Sequence, residues 1–194
     1  ITLHHYLEAT LTNSNPILHP SRIFGMLSDH VGDLYDREYL FYEEWDEKSS
    51  DVLIQCDTEF QQIVNKLPIH QDEIPCLLDY YESTDISSLT QKIRSIKAFK
   101  GIKMGMIPQE NGQFTIDYSN RYFTEDIPYG LLIIKSLGIL LNVPTPMIDK
   151  VIYWTQMKMN KSYLIDGQLI GKDIKESGVL SNFQIHTITS LLSL

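Results

Sequence analysis

Apolar residues recur every three or four positions along most of the chain, the spacing that places them on one face of an α-helix. The clearest stripe, Ile86, Leu89, Ile93 and Ile96, follows Asp85, a residue type that caps helix N-termini. The predicted helices span about 2–14, 20–27, 50–67, 73–83, 85–99, 124–141 and 145–159, with a helical stub within 166–177 and an amphipathic tail over 183–194. The predicted N-caps are Ser49 or Ser50, Asp85, Thr124 and Thr145.

Alternating strand patterns are almost absent, apart from a hairpin predicted at Asn111-Gly112. The sequence has no internal repeat and no succession of strand, helix and strand. Its 194 residues suit one domain, and its 43% apolar content is enough for a packed core. The chain is therefore predicted to be a single all-α domain over 1–194, a multi-helix bundle.

Prolines near the N-terminus predict where the first two helices meet. Asn15-Pro16 should end the first helix, because the residue before a proline is disfavoured in helical angles. Pro20 is predicted to be the first residue of the second helix, a position that proline favours. His19 is then expected at the junction between the two helices.

Charge and cysteine content narrow the class of protein. The net charge is −9 and the pI is about 5.0, whereas nucleic-acid partners require a basic face. Cys56 and Cys76 both lie beside apolar residues and are predicted to be buried free thiols, which suits a reducing compartment. We therefore expect a cytoplasmic protein without a nucleic-acid partner.

No stretch reaches the ~18 uninterrupted apolar residues that suggest a membrane helix. The longest apolar run carries Lys135 and two glycines. The chain begins at Ile1 and has no signal peptide, so it is predicted to be a fragment or a processed product. We also expect no membrane partner.

Several catalytic and cofactor-binding motifs are missing. The sequence contains no GxGxxG, GxxxxGK[ST], HExxH, CxxC or GxSxG pattern. His4 and His5 are adjacent and would face different ways on a helix, so a metal site is not expected. This chain alone is predicted not to hold a dinucleotide.

The segment NSNPILHP, residues 13–20, is the first candidate for chemistry. His19 could move a proton, since the ordinary pKa of histidine lies near neutral pH. Asn15, about one turn earlier, could hold the imidazole or a substrate carboxylate. Alternatively, these side chains only cap backbone groups at a helix end.

The segment SNRYFTEDIPYG, residues 119–130, is the second candidate. Arg121 could bind a substrate carboxylate through its planar guanidinium, and Asp126 could meet a cationic group. The alternative is an ion pair of Arg121 with Glu125 or Asp126 at the start of a helix.

The order of these segments resembles the C-terminal all-helical domain of the octopine dehydrogenases, within the wider opine dehydrogenases. The resemblance runs from about Thr10 to Ser177, and its specific motifs are RYFTEDIPYG followed by VPTPMID. It implies a fold similar to the C-terminal domain of 6-phosphogluconate-dehydrogenase-like enzymes. It also implies an N-terminal Rossmann domain, absent from this chain, that binds most of the NAD(P)H.

The resemblance implies the reaction and the roles of three residues. Members of the family join an amino acid to a 2-oxo acid, usually pyruvate, and NAD(P)H reduces the imine to a secondary amine. His19 matches the catalytic histidine that polarises the 2-oxo group. Arg121 matches an arginine at the interdomain cleft that meets substrate or cofactor charge. Asp126 matches an acidic residue implicated in closing the domains around ligand.

The resemblance indicates the amino-acid substrate less clearly than it indicates the reaction. In arginine-using members an aromatic residue helps to hold the guanidinium group; in the corresponding segment here Tyr80 or Tyr81 could stack on a cation, and Asp79 and Glu82 could pair with it. These residues make arginine a candidate substrate, although the segment departs from those members in having no tryptophan. Tyr80 and Tyr81 could instead be ordinary core residues.

Two other functions remain open at this point. The first is a related enzyme of the opine-metallophore group, which also joins an amino compound to a 2-oxo acid. The second is a helical interaction module that has lost catalysis.

Overall fold

The computed structural model describes residues 5–71 and 74–193, and these form a mostly helical domain. Its α-helices, in chain order, are α1 (Tyr6–Thr10), α2 (Asn15–Leu27), α3 (Glu47–Val64), α4 (Leu77–Tyr80), α5 (Ile86–Ser95), α6 (Arg121–Thr124), α7 (Leu132–Leu140), α8 (Pro146–Lys158) and α9 (Ile188–Leu192). Short 3-10 helices cover Lys97–Phe99, Ile174–Glu176 and Leu180–Phe183. The predicted all-α bundle is confirmed.

The predicted hairpin is also present. Strands β1 (Met106–Pro108) and β2 (Phe114–Ile116) pair antiparallel on either side of Asn111-Gly112. Gly112 has φ of +79°, which its lack of a side chain permits.

The prediction that Pro20 begins a helix is wrong. Helix α2 starts at Asn15, has Pro16 in its first turn and continues through Pro20, so His19 lies inside the helix. Pro20 removes one helical hydrogen bond, at a typical cost of ~3 kcal/mol. Residues 17–25 are all buried, and their packing offsets that cost. The predicted first helix, 2–14, falls partly on residues 1–4, outside the described residues. Over its described part only α1 is helical, so the helix ends well before Asn15-Pro16, and Asn15 begins α2 instead.

Helices α2 and α3 form the centre of the core. A Cβ added at Gly25 would meet Cα of Ser49 at 2.6 Å, so glycine permits a close approach of the two helices. Ser49 and Ser50 are buried and do not cap α3 as predicted. The cap is Asp46, which accepts a hydrogen bond from the Ser49 N–H at 2.7 Å.

Helix α3 also supports the start of α8. Thr145 occupies the predicted N-cap position, but its side chain makes no capping bond. The carboxylate of Glu59 on α3 accepts the N–H groups of Met147 at 2.7 Å and Ile148 at 3.0 Å instead. A tertiary contact thus satisfies N–H groups that a helix start leaves unpaired.

Thr124 is not the N-cap of a helix, contrary to the prediction. Asn120 caps α6 by accepting the Tyr122 N–H at 3.1 Å, and Thr124 ends that helix. A π-helical segment, Ile127–Leu131, then leads into α7. Pro128 has no N–H to continue an α-helical ladder, which accounts for the interruption.

Other features follow the sequence more closely. Asp85 caps α5 through a reciprocal capping box with Ser88. Cys56 and Cys76 are both free, as predicted; Cys56 is buried, whereas Cys76 is only half-buried, contrary to the prediction. Within residues 5–71 and 74–193, no helix is long and apolar enough to cross a membrane.

Candidate active site

His19 lies at the centre of a buried hydrogen-bonded chain. Its Nδ1 is 2.8 Å from Oδ2 of Asp126, and its Nε2 is 2.8 Å from the hydroxyl of Tyr42. The His19 side chain is 6% exposed and that of Asp126 is 12% exposed. Both ring nitrogens are therefore paired within the protein.

Three aromatic rings, those of Phe41, Tyr42 and Tyr122, lie close to the imidazole. Tyr122 and Phe41 approach it edge-on, with centroid distances of 4.8 and 5.5 Å. These two rings also stack on each other at 4.4 Å. The surroundings limit water access while leaving polar partners at both ends of the ring.

Asp126 reaches His19 from the widened turn between α6 and α7. The Asp126 N–H donates to the Arg121 carbonyl at 3.2 Å, and the Leu131 N–H donates to the Asp126 carbonyl at 2.8 Å. Both bonds span five residues, the π-helical pattern, which is frequent at functional sites.

A glycine contact sets how closely this turn approaches α2. A Cβ added at Gly130 would lie 2.9 Å from Cβ of Pro16. Gly130 follows Asp126 by four residues, and Pro16 precedes His19 by three. The close approach therefore lies about one turn from the His19–Asp126 contact on both segments.

The contacts indicate how protons are arranged. If the Asp126 carboxylate accepts the Nδ1 proton, the Nε2 lone pair accepts the Tyr42 hydroxyl. Burial raises the pKa of Tyr42 well above its ordinary range, so its hydroxyl keeps its proton at neutral pH. The hydrogen bonds then run in one direction: Tyr42 donates to His19, and His19 donates to Asp126.

Arg121 lies on the exposed rim of this buried chain. Its side chain is 62% exposed, and its Nε is 4.0 Å from Oε2 of Glu125, a loose ion pair at the surface. The positive charge of Arg121 opposes the burial-driven rise in the pKa of Tyr122 and of Tyr42. Arg121 thus acts electrostatically on the site and leaves its guanidinium open to an anion.

Asn15 does not hold the imidazole, contrary to one prediction, because Asp126 and Tyr42 occupy both nitrogens. Asn15 is the first residue of α2 and is half-buried. Its other predicted role, binding a substrate carboxylate, stays a prediction.

Tyr80 and Tyr81 occupy different environments. Tyr80 is 60% exposed and lines a cavity of about 290 Å³ beside the start of α2, whereas Tyr81 is buried in the core. Asp57 lines the same cavity: its Oδ2 accepts the Leu77 N–H at 2.7 Å, and its Oδ1 has no hydrogen-bond partner among the described residues. Glu82 is engaged by Lys92. Tyr80 is therefore the more available of the two tyrosines.

Sequence reasoning missed Tyr42 as a site residue. It lies in the irregular stretch between α2 and α3, where no helical period marks a buried face. The aromatic density of FYEEW, residues 41–45, was the available signal.

A buried carboxylate–histidine pair on an all-helical domain defines a class of protein equipped for proton transfer. The model of the NAD/NADP octopine/nopaline dehydrogenase alpha-helical domain matches residues 2–159 of this chain. The chain therefore belongs to the octopine dehydrogenase family and is its alpha-helical domain.

Curated relatives include tauropine dehydrogenase of Arabella iricolor, 31% identical, and octopine dehydrogenase of Pecten maximus, 30% identical. Each alignment covers 97% of this chain and 50% of the relative. A solved octopine dehydrogenase with NADH and L-arginine superposes with a TM-score of 0.86 at 30% identity, covering 97% of this chain and 49% of that one. A complex with NADH and pyruvate gives 0.87 at 29% identity, covering 97% and 48%. The chain spans about half the length of these proteins.

Proposed function

We propose that the full protein is an opine dehydrogenase and that this chain forms the half that carries the proton-transfer group and substrate pocket. The reaction is the reductive condensation of an amino acid with a 2-oxo acid such as pyruvate. The observation that carries the proposal is the buried His19–Asp126 pair, 2.8 Å between Nδ1 and Oδ2, in a domain of this family.

The chemistry requires protons to be delivered and removed. The amine of the amino acid adds to the carbonyl carbon of the 2-oxo acid, and the carbonyl oxygen leaves as water to give an imine. NADH or NADPH, when bound, supplies the hydride that reduces the imine carbon, and the nitrogen takes a proton. His19, directly or through a bridging group, polarises the 2-oxo oxygen and is the source of the proton that this oxygen needs to leave as water; in the reverse direction it receives the proton of the opine.

Asp126 and Arg121 support that step. Asp126 fixes the ring orientation and stabilises positive charge on it, as a buried carboxylate does for a catalytic histidine. The exposed guanidinium of Arg121 fits a carboxylate of the substrate or a negative group of the cofactor. The rest of the cofactor site would lie in an N-terminal Rossmann domain.

Arginine is the proposed amino-acid substrate. The cavity beside α2 has an aromatic ring at the exposed Tyr80, which can stack on a guanidinium. Solved octopine dehydrogenase complexes contain L-arginine in one case and agmatine in another, and a cationic ligand for this chain is consistent with both.

The test is NADH or NADPH oxidation by the full-length protein with pyruvate and a panel of cationic, neutral and acidic amino acids. We expect turnover that requires both substrates and is fastest with arginine. His19→Gln should lower kcat by about 100-fold or more, the usual size of a general acid–base contribution. A loss below about fivefold would remove His19 from the mechanism, and no turnover with any pair would favour a helical interaction module.

A further inference from the structure

His19 has no ring nitrogen free to touch a substrate directly. Asp126 occupies Nδ1, and the hydroxyl of Tyr42 occupies Nε2 at 2.8 Å. A proton that passes between His19 and a bound molecule must therefore cross the Tyr42 hydroxyl, or Tyr42 must move away. The way in which Tyr42 is held distinguishes these alternatives.

The ring of Tyr42 is packed firmly in place. It stacks on Phe99 with centroids 4.0 Å apart and lies parallel to Trp45 at 6.2 Å. Only 5% of Tyr42 is exposed, and Trp45 is fully buried. Displacing the phenol would require these aromatic contacts to be broken.

The backbone on both sides of Tyr42 is tied to the helix that carries His19. Arg22 lies on α2, three residues after His19, and is fully buried. Its Nε donates to the Phe41 carbonyl at 2.8 Å, and its Nη2 donates to the Glu44 carbonyl at 2.7 Å. Helix α2 consequently fixes the positions of both the His19 ring and the Tyr42 hydroxyl.

We propose that Tyr42 is a further catalytic residue, relaying the proton between Nε2 of His19 and the oxygen of the bound 2-oxo acid. The inference rests on the proposed function. Nε2–H of the imidazolium donates its proton to the Tyr42 oxygen while the Tyr42 O–H proton passes to the substrate oxygen. Tyr42 is neutral before and after, His19 becomes neutral, and no other reactant is required.

A hydroxyl is suited to this position because it donates and accepts at once. It donates to Nε2 when His19 is neutral and accepts from Nε2–H when His19 is charged. Arg121 is exposed and directly precedes Tyr122, whose ring lies 4.8 Å from the imidazole, so a substrate anion paired with Arg121 would bind at the edge of this aromatic cluster.

A double-mutant cycle in the full-length protein tests the relay. Tyr42→Phe keeps the stacked ring and removes the hydroxyl, and it should lower kcat by about tenfold or more. In the His19→Gln background the same change should cost little further, because residues acting as one unit are not additive. Tyr39→Phe is the matched control in the same loop: among the residues that the structure describes, its hydroxyl bonds only to Asp36, and kcat should be unchanged.

The outcomes are distinguishable. A Tyr42→Phe enzyme with unchanged or raised kcat, while His19→Gln is impaired, would mean that substrate displaces Tyr42 and would overturn the relay alone. Equal fold-losses in both backgrounds would assign Tyr42 a purely structural role and also overturn it. An unimpaired His19→Gln enzyme would instead overturn the proposed function.

A measurement on the unmodified protein remains available even if Tyr42→Phe does not fold. Selective 15N labelling of histidine in the full-length protein should show His19 protonated on Nδ1, with Nε2 accepting a hydrogen bond. A neutral ring protonated on Nε2, with Nδ1 bare, would reverse the direction of the chain and overturn the relay.

Discussion

Asp126 contacts the imidazole of His19 through a 2.8 Å hydrogen bond, although 107 positions separate the two residues in the chain. The two side chains come from different elements, α2 and the turn that follows α6. Neither element could form the pair without the other, so the contact depends on the packing of the whole domain.

Asp126→Asn in the full-length protein should lower kcat by about 100-fold or more. The amide can present its N–H to the ring and favour the wrong tautomer, the effect known for carboxylates that orient catalytic histidines. Steady-state kinetics measures the change, with Glu125→Gln as the control for losing an adjacent, exposed acid. Equal effects of the two variants would contradict a specific role for Asp126.

Arg121→Lys should raise the KM for one substrate or cofactor sharply, because an ammonium group cannot reproduce the fork-shaped contact of a guanidinium. The free energy of unfolding should change little, since exposed ion pairs contribute only ~0–1 kcal/mol. Glu125→Gln removes the partner and keeps the guanidinium. If Glu125→Gln reproduced the KM change, the ion-pair interpretation of Arg121 would be correct.

Arg22→Met should destabilise the domain by on the order of 3 kcal/mol, because it removes the donor of the buried Phe41 carbonyl and of the partly buried Glu44 carbonyl. Arg94→Met is the matched control: Arg94 is exposed and donates to the Glu43 carbonyl of the same loop. Its loss should cost within about 0.5 kcal/mol. Denaturant unfolding measures both, and similar costs would contradict the anchoring role of Arg22.

Glu59 should make the stability of the protein depend on pH. Burial raises the pKa of Glu59 above its ordinary value of 4.5, although the N–H groups of Ile148 and Met147 act against this. The folded state then holds this proton more tightly than the unfolded state. Its contribution to the free energy of unfolding is therefore greatest below about pH 4.5 and declines as pH rises through the folded pKa.

The corresponding measurement compares wild type and Glu59→Gln by unfolding at several pH values. The unfolding free energy of wild type minus that of the variant should decrease as pH rises through this window. Glu47→Gln, at an exposed site on the same helix, controls for the loss of one charge. A difference that increased with pH would contradict the stated direction of the shift.

Features encoded by neighbouring residues could be predicted from the sequence. The Asp85 cap and the Asn111-Gly112 hairpin depend on a few adjacent positions, and both are present. The prediction for Pro20 was wrong because a proline is accepted inside α2 only through burial by distant segments. The Thr124 prediction failed because Asn120, four residues earlier, provides the cap of a separate short helix.

The candidate site was predictable only in part for the same reason. Residue chemistry marked His19, Arg121 and Asp126 as candidates and the family resemblance assigned their roles, whereas the proline pattern placed His19 at a helix junction. Tyr42 lies in an irregular segment, and its role depends on a contact across 23 residues that no local pattern encodes. Likewise, the sequence alone does not distinguish the adjacent Tyr80 and Tyr81, whereas the structure shows that Tyr80 is exposed and Tyr81 is buried.

The absent side chain of Gly130 has a consequence for how this domain tolerates change. A methyl group there would press on Pro16 and wedge the backbone of the π-helical turn away from the first turn of α2. That separation governs the reach of Asp126 toward His19. The distance between His19 and Asp126 therefore depends on an apolar contact. A substitution at that contact would lengthen the hydrogen bond between them even though every charged group stays in place.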